Sequence, residues 1–275
     1  MDLLTLIEKM PAFPQSVQRL MDLTSDINCP PREVVDVIQR DPVLMMNLLK
    51  LVNSSYFGLS QSVTSVNHAV VYIGINTVKN MALLTAALGV LPRKNKAGFN
   101  IDDFLLHSLS TAAISKTLAK KVAVPERELS DFFLCGLLHD FGKIVFTNFL
   151  PGEYQKTLLV AKEQGLPLYE AEMQVLETDH AQVGSLLAEK WRLPSPVVEC
   201  IKNHHCRDSR QQLMTDAVFA ANQISKKTGT GYSGDNIVQE LPDKIYDLLG
   251  AEDIENVILS LGDVTATLDK SFLRQ

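Results

Sequence analysis

Apolar residues recur along this chain at steps of three and four. Ala69, Val70 and Ile73, then Val78, Leu83, Leu84 and Leu88, follow the spacing of a buried helical stripe. Phe104, Leu105, Leu109, Ala112, Ala113 and Leu118 do the same, as do Val183, Leu186, Leu187 and Trp191. Ser or Asp stands before several of these runs, and prolines mark helix ends at Pro92, Pro125, Pro151, Pro167, Pro194 and Pro196. Long apolar–polar alternation with turn dipeptides is missing. The pattern therefore predicts an all-α fold with no sheet. A polar, charged stretch from Leu91 to Gly98 predicts a boundary between two helix-rich halves, and Thr228 to Asp235 a second break. The expected organisation is an N-terminal helical subdomain over 1–95, a second over 96–228, and a linker with a helical tail over 229–275.

Composition narrows the class without naming a function. With 275 residues, 46% hydrophobic and 21% charged, the chain is long enough to bury a proper core. A net charge of −6 argues against nucleic-acid binding held by bulk charge. Cys29, Cys135, Cys200 and Cys206 form no C-x-x-C pair, and Cys135 lies in an apolar run, a usage that fits a reducing compartment. The first residues lack the basic and apolar regions of a signal peptide, and the most apolar stretch, Met81 to Leu91, is too short to cross a bilayer. A soluble, cytoplasmic protein is expected.

Two patterns carry chemistry on their face. Gly229-Thr230-Gly231-Tyr232-Ser233-Gly234 matches the G-x-G-x-x-G of dinucleotide sites, but that mechanism needs a preceding strand, and here a helix precedes it. A flexible linker is the expectation. The histidines say more. Five of six lie beyond residue 100: His107, His139, His180, His204 and His205. A single histidine on a helix is most often a hydrogen-bonded residue with no further role. His139, however, is followed by Asp140 inside an apolar run, where an ionised carboxylate is costly unless paired or bound to metal. Imidazole and carboxylate together suit iron, manganese, zinc or nickel. Asp103 and His107, four apart, share a helix face and could reach one centre.

His107, then His139-Asp140, then a later acidic or amide position resembles the H…HD…D signature of HD-domain metal-dependent phosphohydrolases. His139-Asp140-Phe141-Gly142-Lys143 is close to the HD-x-GK motif of the HD-GYP branch, the cyclic-di-GMP phosphodiesterases. His180 and His204-His205 are similar to that branch's middle and paired histidines. The first half resembles the HDOD domain more closely. Pro11-Ala12-Phe13-Pro14-Gln15-Ser16-Val17, Arg40-Asp41-Pro42-Val43-Leu44, the stretch Leu51 to Gly58, and Val63 to Val70 with Ile73-Gly74 carry that likeness. The resemblance implies an all-α HD-superfamily bundle and a regulatory role in bacterial signalling. It also implies one or two divalent transition ions, iron or manganese before zinc or nickel. One would use Asp140, His180, His204 and His205. The other would use His107, His139, Asp140 and Asn222, the last standing where the signature has aspartate. Asp103 is a further ligand by the same resemblance, while Asp216 points elsewhere on its helix.

The departures set two functions against each other. Cys206-Arg207-Asp208-Ser209-Arg210-Gln211 replaces the GYP run, and Asn222 offers a weaker ligand than a carboxylate. These favour a signalling module that binds protein partners, or a nucleotide or phosphate ligand, with no membrane or nucleic-acid role. The near-complete ligand list favours an active phosphohydrolase, in which Asp140 bridges two ions and Lys143 helps hold the phosphate. The stretch Asn53 to Gly58 is expected to be a helix end with a Gly-capped turn, and His68 to face solvent or bond a backbone group.

Overall fold

The computed structural model describes residues 3–12, 15–25, 29–53, 59, 61–89, 97–126, 128–206 and 212–250, and among these every regular element is a helix. Several stretches read above lie outside the described residues: Phe13-Pro14, Ser54 to Gly58, Leu91 to Lys96, Arg207 to Gln211 and the tail beyond Gly250, with the side chains of Leu84 and Leu88. The chain divides into two compact units. The described residues of Pro11–Leu91 form one, and those of Met1–Met10 and Pro92–Asp263 the other.

The Pro11–Leu91 unit contains helices α2 (Gln15–Ser25), α3 (Pro31–Gln39), α4 (Pro42–Val52), α5 (Val66–Ile73) and α6 (Ile75–Gly89); α1 (Leu3–Lys9) belongs to the other unit. Its sequence motifs are local structure. Asp41 caps α4, accepting from the backbone N–H groups of Val43 and Leu44 at 3.1 and 3.0 Å, and Ser16 of α2 donates to its other oxygen at 2.6 Å. Pro42 at the first helical position supplies a preset φ where no N–H is needed. Asn53 staples the chain after α4: its amide donates to the carbonyls of Leu49 and Val63, and its oxygen accepts from the N–H of Val63. The stripe through Ala69 and Val78 is not one helix but two, divided at Gly74, whose φ of 78° stops α5 before α6 begins. His68 is exposed, and its backbone N–H donates to the capping Ser65 hydroxyl.

The larger unit is organised on α7 (Ile101–Lys121), which packs against α8 (Leu129–Leu138) and α14 (Leu213–Lys227). Between these lie α9 (Gly142–Phe149), α10 (Pro151–Gln164), α11 (Leu168–Leu176), α12 (His180–Lys190) and α13 (Ser195–Asn203), and α15 (Asp243–Leu249) follows α14. Ile114, Leu118, Phe219, Ile224 and Ile245 form one buried cluster, each contributing about 1.5–3 kcal/mol by leaving water. Helix α1 joins this unit because Lys190, at the end of α12, donates to the carbonyls of Ile7, Glu8 and Met10 at 2.7–2.8 Å. Those carbonyls are the ones a helix C-terminus leaves unsatisfied.

Two glycines set the helix spacing that the site needs. A Cβ on Gly136 would stand 2.7 Å from the Ala112 Cα, so its absence lets α8 cross tightly over α7. A Cβ on Gly142 would stand 2.0 Å from the His180 carbonyl oxygen, so α9 meets the start of α12 backbone to backbone. These approaches bring His107 and His180 toward the His139–Asp140 step.

Candidate metal centre

His139 and Asp140 lie at the junction of α8 and α9, His139 being the C-terminal cap of α8. His107 comes from α7, and His180 is the first residue of α12, whose start is fixed by Asp179 accepting from the Gln182 N–H. His204 caps α13, and His205 follows it. Four of the five histidines and Asp140 are at most 1% exposed, while His205 is half-buried.

The cluster has two sides, divided by the two oxygens of Asp140. Oδ1 faces His180 Nε2 at 3.0 Å and His204 Nε2 at 3.7 Å, and His205 Nε2 lies 2.8 Å from His180 Nε2. Oδ2 faces His139 Nε2 at 3.4 Å and His107 Nε2 at 3.7 Å. Two donor groups result, Asp140 with His180, His204 and His205, and Asp140 with His107 and His139; within each, the donor atoms lie within 4.8 Å of one another.

The protein fixes which ring nitrogen each histidine offers. Nδ1 of His139 and of His204 donates to the carbonyls of Gly136 and Ile201, both at 2.7 Å. His180 Nδ1 lies 2.5 Å from Glu172, and His107 Nδ1 meets the Ser225 hydroxyl at 3.2 Å. A proton on Nδ1 leaves the Nε2 lone pair free, and Nε2 is the atom each ring turns to Asp140. This is how proteins orient metal-binding histidines. Nε2 of His107, His139 and His204 are buried with no hydrogen-bond partner in the protein. Buried polar atoms left so cost about 1–3 kcal/mol each, and a cation among them removes that cost.

Charge follows the same division. Burial holds His107, His204 and His205 well below the ordinary histidine range, so they are neutral. Burial pushes Asp140 upward, but His139, Lys143 and His180 outweigh it, and the carboxyl stays ionised, well below its usual value. His180 is pushed up to about 9, because Glu172 and then Asp140 overcome the effect of burial. Neutral imidazoles, a carboxylate and unpaired inward nitrogens suit a divalent transition ion.

Other expected ligands are placed differently. Asp103 does not join either donor group. Its Oδ2 accepts from Asn100 at 2.6 Å within the cap of α7, one turn too early in the helix. Asp216 is paired with Lys244 at 3.1 Å. Asn222 is buried on α14 with its oxygen unpartnered, one turn before the Ser225 that meets His107. Lys143 is buried and directed inward: Nζ donates to Asp140 Oδ2 at 2.7 Å, to the Ser233 carbonyl at 2.8 Å and to the Ser233 hydroxyl at 3.3 Å.

The glycine-rich segment is not a flexible linker. Tyr232 N–H donates to the Asp103 carbonyl of α7 at 3.0 Å, and Asp235 pairs with Lys226 at 2.6 Å and accepts from the Leu168 N–H. Gly231, at φ 72°, lies so close to α7 that a Cβ would meet the Asp103 oxygen at 2.3 Å and the His107 nitrogen at 2.4 Å. Gly231 serves close approach to a helix backbone rather than to a pyrophosphate, and the segment walls the site. Sequence reasoning passed over Glu172, Ser225 and Ser233. The glycine spacing was the one visible signal near them.

Fold and site together define an all-helical protein with a buried histidine–aspartate cluster. The HDOD domain model matches residues 10–207, and the chain belongs to that family. A solved structure of a "Putative phosphohydrolase" from Shewanella amazonensis matches with a TM-score of 0.78 at 24% identity, covering 98% of this chain and 97% of that one. An HDOD domain protein from Geobacter sulfurreducens matches at 0.74 and 24%, over 98% and 95%. These likenesses concern the fold. A Treponema pallidum protein is 28% identical over 204 residues, which are 73% of this chain but only 39% of that protein.

Proposed function

We propose that this chain is a cytoplasmic signalling module of the HDOD type that holds a divalent transition ion, iron or manganese before zinc or nickel, and acts by docking a partner protein. The observation that carries this reading is the convergence of buried histidine Nε2 atoms on Asp140 Oδ1, His180 at 3.0 Å and His204 at 3.7 Å, the latter with no hydrogen-bond partner in the protein. Asp140, His180, His204 and His205 would hold the ion. A bound metal would supply a Lewis acid, or a fixed charge joining α8, α12 and α13.

Three features favour binding over catalysis. Asp140 is fully buried, so among the described residues it offers no surface for a phosphodiester to meet. All three donors of Lys143 are engaged within the protein, leaving none to hold a phosphate. Asn222 adds no charge. For the partner, the Pro11–Leu91 unit exposes Met46, Val71 and Tyr72 at 50, 81 and 54%. The phosphohydrolase reading draws support from the two donor groups sharing Asp140, an arrangement suited to a nucleotide or other phosphate ligand. Phosphodiester assays of protein loaded with manganese, iron or nickel, beside a His139→Ala, Asp140→Ala control, decide between them. The module reading expects no control-sensitive turnover. Rates of about 1 per second or more, lost in the control, overturn it.

A further inference from the structure

Resting on the reading of this cluster as a metal site, we infer that the Lys143 ammonium is the resident cation on the Oδ2 side of Asp140, so that the site holds a single ion, on the Oδ1 side. The two oxygens of Asp140 have different neighbours. Oδ1 looks toward His180 and His204, with His205 beyond. Oδ2 looks toward His139 and His107 but is already 2.7 Å from Lys143 Nζ, closer than either ring nitrogen at 3.4 and 3.7 Å.

An ion placed among His107, His139 and Oδ2 would share one carboxylate oxygen with a fixed positive charge. On that side Asn222 adds no charge, and His107 and His139 bring no anion to offset two cations on one oxygen. Nor is Lys143 free to withdraw. Its remaining donors hold Ser233, whose segment is tied to α7 through Tyr232 and Gly231 and to α14 through Asp235 and Lys226. Moving the ammonium would leave the Ser233 carbonyl unpaired in the interior. The consequence reaches function: two-ion phosphoryl chemistry needs ions about 3.5–4 Å apart clamping both oxygens, and Lys143 takes the place of one of them.

The test is metal stoichiometry, independent of any activity. Full-length protein made without a histidine tag is stripped, titrated with cobalt(II) by visible absorption, and, in parallel, loaded with manganese(II) for elemental analysis and electron paramagnetic resonance. The wild type is expected to reach its endpoint at one equivalent, with a mononuclear manganese signal. Lys143→Met and Lys143→Gln, checked for fold by circular dichroism, are expected to take up a second equivalent and show spin coupling between neighbouring ions. A wild-type endpoint at two equivalents overturns the inference even if neither variant folds, and so does a folded variant that still binds one. A wild type that binds none overturns the metal reading itself, and this inference with it.

Discussion

His180 Nδ1 lies 2.5 Å from Oε2 of Glu172, and the His180 backbone N–H donates to the same oxygen at 2.8 Å. One buried carboxylate thus sets both the ring's tautomer and the start of α12, and it also accepts from the Tyr154 hydroxyl. Removing such an outer partner lowers metal affinity by about 10–100-fold. Glu172→Gln should weaken binding by that factor in a chelator competition titration, while circular dichroism stays that of the wild type. Unchanged affinity would show that the tautomer is held by other means.

Two glycine variants separate wall from linker in the segment after α14. Gly231→Ala adds a Cβ at φ 72° against the Asp103 and His107 backbone, and Gly229→Ala adds one at φ 67° facing open space. The left-handed backbone alone costs about 1–2 kcal/mol, and overpacking about 1–3 more. Gly231→Ala should therefore lose roughly 2–5 kcal/mol in urea unfolding and Gly229→Ala only about 1–2. Equal losses would contradict the packed wall.

Asp235 gives a pH dependence. Burial raises its carboxyl, but Lys226, then Lys143 and the N–H of Leu168, hold it below 3.8, its ordinary value. A depressed folded value means the stabilisation is present above pH 3.8 and is lost as pH falls through the folded value. Asp235→Asn should cost about 3 kcal/mol near neutrality by stranding Lys226, and the gap to wild type should narrow as pH falls below 3.8. A constant gap between pH 6 and pH 2 would contradict the assignment.

Much of the fold was legible because helical stripes and proline stops report local geometry. The clustered histidines were legible too, since five of them crowd beyond residue 100 beside a buried aspartate. The helix break at Gly74 was missed because apolar spacing continues across it. Asp103 was misread because spacing gives the face of a helix but not which neighbour captures a side chain in its first turn; Asn100 does so. Glu172 and Ser233 carry no sequence signal, since they matter only through partners eight and ninety residues away. Gly142 and Gly231 were visible as letters, but what they admit is a backbone from elsewhere in the chain.

The exposed apolar residues of the Pro11–Leu91 unit bear on docking. Val71→Asp with Tyr72→Ser should abolish signalling output in cells while leaving metal content and melting temperature at wild-type values. Val71 and Tyr72 lie on α5, in a unit that supplies no residue to the donor groups. Full signalling in the double variant would count against this surface as the docking face.

The central claim is that the histidine–aspartate cluster holds a metal, and elemental analysis of protein purified without a histidine tag or chelator measures it directly. The account predicts iron or manganese bound at up to one equivalent, and its loss in an Asp140→Ala, His180→Ala variant that remains folded. Wild-type protein that carries no transition ion as purified, and takes up none on reconstitution with iron(II) or manganese(II), would contradict it.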